Sequence, residues 1–198
     1  MKVTLLEKNP DIYTCNSYLI RGNWNTLQDI NTLIDTGTEG FILKQLEKIS
    51  TGVGKSRIEQ VILTHEHFDH AGGLKYILKE FKPSVLAAAP YPGVTQRTYD
   101  GMQVKIGDCH ATIFHTPGHS NDSICIYCEA ERTIFSGDTP LNIKSPGGSY
   151  SKEFLSILEK LNELKIERIY SGHDHPVIER GGEIIERSLK NVRNSIIV

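Results

Sequence analysis

The stretch Val61–Leu74, VILTHEHFDHAGGL, sets three histidines and two acids within six positions, His65 to His70, directly after an apolar run. The run Val61–Thr64 reads as a buried strand. In an extended segment, residues i and i+2 point the same way. His65 and His67 therefore project together from the strand's end, and Glu66 faces away from them. Phe68 turns the chain, and Ala71–Phe81 has helical spacing up to the Lys82-Pro83 stop. Asp69 and His70 sit where that helix begins, and Asp69 suits a helix cap. As sequence neighbours they do not easily join the first pair on one ion, but they would reach a second ion beside it. Gly72 and Gly73 would let the helix start pack closely against a sheet.

The same arrangement recurs along the chain. The apolar run TLIDTG ends on Asp35, TIFHTPGH on His119, TIFSGD on Asp138 and RIYSGH on His173. With His65 and His67, that makes five strands that each finish in a small turn and a metal- or water-binding side chain. Sites in α/β sheets form at the carboxyl ends of strands, so these ends would converge if the strands share sheets. Further helices are expected over Glu39–Ser50, Ser151–Leu164 with Ser151 as cap, and Gly182–Ile196. The Asp100-Gly101 pair in YDGMQVKI is a hairpin signal. Strands interleaved with helices, and no linker-like segment, predict one mixed α/β domain over residues 1–198. The irregular stretches Pro90–Thr98 and Pro140–Tyr150 are candidate substrate loops, and Arg97, Lys144 and Tyr150 are the side chains on them suited to contact.

The net charge of −2 and the absence of a basic stripe argue against a nucleic-acid surface. No apolar run approaches the ~18 residues of a membrane span, and the apolar patch in MKVTLLEKNP is too short for a secretory signal, so a cytoplasmic protein acting on a small molecule is expected. Cys125 and Cys128 form a C-x-x-C, but it lies in a strand. The two thiols would face opposite sides and remain buried rather than form a zinc or redox motif. His110 and His115 alternate with apolar residues and read as structural.

Together T-H-x-H-x-D-H, T-P-G-H-S, S-G-D and S-G-H resemble the metallo-β-lactamase superfamily over nearly the whole chain. The resemblance implies a four-layer αββα sandwich with metals at one edge between two sheets. It implies one ion on His65, His67 and His119, a second on Asp69, His70 and His173, and Asp138 bridging both. Asp35 would support the ligand histidines from behind. Imidazole and carboxylate donors suit two Zn²⁺, with Fe or Mn as other occupants. Such a pair would share a hydroxide as nucleophile, oriented by Asp69.

His67 stands where the flavodiiron proteins have Glu. The basic arm of ribonuclease Z-type phosphodiesterases and the helical glutathione-gripping domain of glyoxalase II-like enzymes have no counterpart here. The expectation is thus a compact glyoxalase II-like hydrolase of a thioester, lactone or related ester. An iron-dependent persulfide dioxygenase, a zinc phosphodiesterase and a metal site kept only for structure remain as alternatives. His175, two past His173, would face the pocket as a proton donor. Trp24, at a hairpin tip, would lie on a flap over the site.

Overall fold

The computed structural model describes residues 1–198. In chain order the strands of the first sheet are β1 (Lys2–Leu5), β2 (Tyr18–Arg21), β3 (Thr32–Ile34), β4 (Gln60–Ile62), β5 (Ser84–Ala87) and β6 (Gln96–Arg97). Those of the second are β7 (Gln103–Ile106), β8 (Cys109–His115), β9 (Ile124–Cys128), β10 (Thr133–Gly137) and β12 (Arg168–Ser171). A short ribbon pairs β11 (Ser149–Tyr150) with β13 (Ile196–Ile197). The helices are α1 (Leu43–Lys48), α2 (Phe68–Ala71), α3 (Leu74–Phe81), α4 (Lys152–Asn162) and α5 (Gly181–Arg193). The first sheet runs β1 to β6 in sequence order, antiparallel through β3 and parallel from β3 to β6. The second has the order β12-β10-β9-β8-β7, with only β10 and β12 parallel.

Three apolar layers hold this together, and strand alternation sorts residues among them. Ile34, Ile62 and Leu86 point inward to meet Ile106, Ile113, Ile126 and Phe135 of the second sheet. Their neighbours Leu33, Val61 and Val85 point outward onto Leu46, Leu74 and Ile77. On the far side, Cys125, Tyr127 and Ile134 pack against Phe154, Leu158, Ile185 and Leu189 of α4 and α5. Each fully buried Leu or Ile of this kind contributes roughly 1.5–3 kcal/mol by leaving water. The result is helix, sheet, sheet, helix, the α/β fold that the sequence resemblance implied. Cys125 and Cys128 fall in different layers, on opposite faces of β9, and all four cysteines are free thiols. Ser151 caps α4 by accepting from Phe154 N at 3.1 Å, a bond worth about 1 kcal/mol.

Several local expectations change. The Glu39–Ser50 segment splits into a 3-10 turn, Gly40–Ile42, and the single-face helix α1. The helix after the histidine cluster is broken into α2 and α3. A β-carbon on Gly72 would lie 2.7 Å from Thr38 O, and one on Gly73 2.3 Å from Thr36 O, so these glycines pack against the loop after β3. Asp69 is not a cap: α2 begins after His67 with no side-chain cap, and the Asp69 carboxylate turns inward. The Asp100-Gly101 turn does not join paired strands, because β6 belongs to the first sheet and β7 to the second. The hairpin turn is Gly107-Asp108, between the paired ends Ile106 and Cys109. Gly107 has φ +56, and a β-carbon there would meet the Arg21 carbonyl at 2.9 Å. The terminal helix ends at Arg193 because Ile196–Ile197 pairs with β11. No helix is long and apolar enough to cross a membrane.

Candidate metal centre

Parallel pairing places the carboxyl ends of β3 and β4 side by side, and likewise those of β10 and β12. The direction of β8 matches that of β10, since each is antiparallel to β9. The two sheets meet at this edge: Ile124 N donates to Thr64 O at 2.9 Å. Gly137, with φ +49, allows the approach, since a β-carbon there would stand 2.5 Å from Thr64 Oγ1. Five strand ends are thereby gathered at one point.

The seven ligand-type side chains meet there. The ligand atoms of His65, His67 and His119 lie within 4.8 Å of one another, and so do those of Asp69, His70 and His173. His67 Nδ1 is 2.9 Å from His119 Nε2, and His173 Nε2 is 3.1 Å from Asp69 Oδ2. Asp138 stands between the groups: Oδ1 is 3.2 Å from His70 Nε2, and Oδ2 is 3.4 Å from both His119 Nε2 and His173 Nε2. His65 Nε2, His70 Nε2 and Asp138 Oδ1 are buried and make no directed hydrogen bond. Such atoms are costly to leave unpaired, and here they aim at a common space.

Behind this face the histidines are fixed. Asp35, in a left-handed conformation at φ +55, accepts from Thr64 N at 2.7 Å through Oδ1. Its Oδ2 accepts from Thr64 Oγ1 and from His70 Nδ1, each at 2.8 Å. With Nδ1 donating, His70 presents Nε2 to the centre. Thr64 Oγ1 also lies 3.1 Å from His65 Nδ1. Burial and the neighbouring His70 charge push the His65 imidazole down to about 4. Burial opposes the charge on His70, but Asp35 and Asp138 outweigh it and hold that ring well above the usual histidine range. Burial likewise opposes the charge on Asp138, but His70 and His173 keep it ionised, down to about 2.

A cleft of about 260 Å³ opens beside the cluster, between the loop after β10 and the loop after β12. Its walls include Asp138, Asn142, His173 and His175. His175 is exposed at its rim. Arg97 lies in a wider cleft with Glu66 and His115, and His115 Nε2, 2.8 Å from Asn121 O, steadies the loop that carries His119. The Pro140–Tyr150 loop is tied to α5, with Ser188 Oγ accepting from Ile143 N and donating to Leu141 O. Lys144 is exposed on that loop and does not line the cleft, and Tyr150 stacks on Phe154. Trp24 is not brought to the site. It follows Arg21, at the end of β2 opposite Tyr18, and is 90% exposed next to Asn23, which binds Asp108 of the β7–β8 turn. Thr64 and Tyr13 were not singled out from the sequence. Thr64 immediately precedes the first histidine of the motif. Tyr13 lies in a connection that no pattern marks.

A sequence model of the metallo-beta-lactamase superfamily matches residues 10–103 and 98–173. The chain belongs to this superfamily. It is 34% identical over 177 residues to an atrochrysone carboxyl ACP thioesterase of Aspergillus fumigatus, covering 81% of this chain and 41% of that protein. A second thioesterase of that name and organism is 32% identical, at 83% and 51% coverage. The chain thus spans about half or less of the length of these two relatives. A hydroxyacylglutathione hydrolase of Pelagibacter ubique is 28% identical over 88% of this chain and 72% of its own. Among solved structures, the BLEG-1 B3 metallo-beta-lactamase superposes with a TM-score of 0.67 at 20% identity, covering 98% of this superfamily member and 99% of that chain. A metallo-beta-lactamase family protein of Thermus thermophilus gives 0.68 at 17% identity, with 96% and 79% coverage.

Proposed function

We propose that this chain is a metal-dependent hydrolase acting on a small-molecule thioester or a related ester. The observation that carries this is the convergence of seven imidazole and carboxylate side chains whose innermost atoms lack other partners. Nitrogen and carboxylate donors in two adjoining groups of three, sharing Asp138, fit a pair of divalent ions, and zinc suits the donor set. His65, His67 and His119 would hold one, Asp69, His70 and His173 the other, and Asp138 would touch both. When bound, such a pair supplies a water acidified to near neutral pH and positive charge beside the reacting carbonyl. The thioester preference is supported by the relatives named as an ACP thioesterase and as a hydroxyacylglutathione hydrolase.

The chain's own groups do the rest. Asp138 and Asp69, both carboxylates at the inner face, accept hydrogen bonds from the attacking water and so orient it toward the acyl carbon. Asp35 keeps His70 in one tautomer. The cleft beside Asp138 and His173 receives one arm of the substrate. The water oxygen joins the acyl carbon, the C–S bond breaks, and the products are a carboxylic acid and a thiol that takes up a water proton.

The test is metal analysis of protein purified without added metal, together with turnover of acyl thioesters, lactones, phosphodiesters and persulfides. About two zinc ions per chain and preferred thioester cleavage are expected. About one iron per chain, with oxygen consumed on a persulfide, would overturn the proposal, and so would preferred phosphodiester cleavage.

A further inference from the structure

Tyr13 lies on the connection between β1 and β2, outside every regular element. Its backbone is nonetheless pinned. Thr38 Oγ1 donates to Tyr13 O at 2.6 Å, and Thr38 N donates to Thr14 Oγ1 at 3.0 Å. The next two residues tie this segment to the loops that carry the ligand-type side chains. Cys15 N donates to Asp69 O at 3.2 Å, and Asn16 N to Gly172 O at 2.6 Å. Asn16 Nδ2 also reaches Ser171 O and Asp174 O, each at 2.9 Å.

From this fixed base the Tyr13 side chain is 65% exposed, and its ring stacks on His173 at 5.2 Å and 17°. Phe68, 62% exposed, lies with its ring centroid 6.3 Å from that of Tyr13, tilted at 42°. The hydroxyl is 3.4 Å from His173 Nε2, the nitrogen that faces Asp69 and Asp138. Other hydroxyls around the cluster are committed: Thr64 to Asp35, Thr116 and Thr139 to each other, and Ser171 to Asp174 O. An imidazole nitrogen that ligates an ion has no lone pair for a hydroxyl. With His173 so engaged, the Tyr13 hydroxyl, 3.4 Å from that nitrogen, would be free to donate to a substrate group beside it.

We propose that Tyr13 is a catalytic residue, its hydroxyl donating a hydrogen bond to the acyl oxygen of the substrate while the C–O bond to water forms. The inference rests on the hydrolase reading above. A thiol is acidic enough, with a pKa of ~8.5, to leave as thiolate without an acid at its sulfur. The acyl oxygen, by contrast, gathers negative charge as its double bond opens, and a pre-placed donor is worth most there. A phenol is too weak an acid to give up its proton, so it holds the hydrogen bond and returns unchanged. The exposed rings of Tyr13 and Phe68, tilted at 42° to each other, would make an apolar rim for the acyl group.

Tyr13→Phe is the informative variant, because it keeps the ring and its stacking at an exposed position. Metal content per chain, kcat, KM and inhibition by a tetrahedral phosphonate analogue of the thioester are measured on wild type and variant. Expected are unchanged metal content, kcat lower by about 10²-fold, KM within about threefold, and phosphonate inhibition weakened roughly in step with kcat. Unchanged kcat overturns the inference. So does loss of metal, which would make Tyr13 a ligand, or a change confined to KM, which would make it a binding residue only. Failure of the wild type to cleave any thioester or related ester overturns the hydrolase reading and this inference with it. Wild-type turnover that Tyr13→Phe matches overturns this inference alone.

Discussion

Replacing Asp35 by Asn tests whether the buried carboxylate behind the cluster organises it. Asp35 receives three donors: Thr64 N, Thr64 Oγ1 and His70 Nδ1, all at 2.7–2.8 Å. Asn offers one acceptor oxygen and one amide NH₂. If the oxygen faces His70, the NH₂ meets Thr64 N–H and leaves a buried donor unpaired. If it faces Thr64 N, the NH₂ meets His70 Nδ1, and the ring must move its proton to Nε2, the atom aimed at the centre. Either outcome costs about 1–3 kcal/mol for the orphaned group. Asn tolerates the left-handed backbone at φ +55 as Asp does, so the variant isolates the side chain. Asp35→Ala would add roughly 1–2 kcal/mol of backbone strain.

The second effect is on metal. Loss of an outer partner weakens a ligand histidine's ion by about 10–100-fold, and it is His70 that Asp35 holds. Urea unfolding of metal-free and metal-saturated protein, with chelator competition for each ion, separates the two effects. The expected result is a loss of about 1–3 kcal/mol in the metal-free protein and selective weakening of the ion at Asp69, His70 and His173. A stability loss with both ion affinities unchanged would refute the orienting role.

Three further outcomes follow from the geometry. Gly172→Ala places a β-carbon 2.1 Å from Asp138 Oδ1 and 2.7 Å from His70 Cε1; it should cost about 1–3 kcal/mol and displace both groups, so metal content falls while circular dichroism stays native. Trp24→Ala should change stability by less than about 0.5 kcal/mol and leave kcat unchanged, since the ring is 90% exposed at the far end of β2. His175→Ala should leave thioester kcat within about twofold but lower oxyester kcat by roughly 10²-fold, because only an alkoxide needs a proton from the cleft rim; equal effects on both substrates would contradict this.

A mixed α/β domain was legible from the residue pattern, because its strands carry apolar residues on both faces and end on ligand-type side chains; the four-layer sandwich was implied by the family resemblance. Leu33-Ile34, Val61-Ile62 and Val85-Leu86 each supply one residue to the inter-sheet layer and one to the helix layer. Of the seven convergent side chains, His65, His67, His119, Asp138 and His173 were legible because each follows an apolar run by a few residues, and Asp69 and His70 because they close the histidine cluster at the start of the next helix. What escaped was non-local. Only the pairing of β6 with β5 shows that Asp100-Gly101 crosses between sheets. The break at Gly72 and Gly73 is set by carbonyls of the Thr36–Thr38 loop, more than 30 residues earlier in the chain. Trp24 was misplaced because a hairpin tip carries no mark of which sheet end it occupies. Tyr13 was missed because its position depends on bonds to Thr38 and, through Asn16, to Gly172.

In the proposed function these side chains would hold two ions, with Asp138 touching both. Anomalous diffraction from crystals of protein purified without added metal, recorded on both sides of the zinc and iron edges, tests it most directly. Two zinc peaks are expected, one among His65, His67 and His119 and one among Asp69, His70 and His173, both beside Asp138. A single iron peak in the first group, or no peak in the cluster, would contradict it.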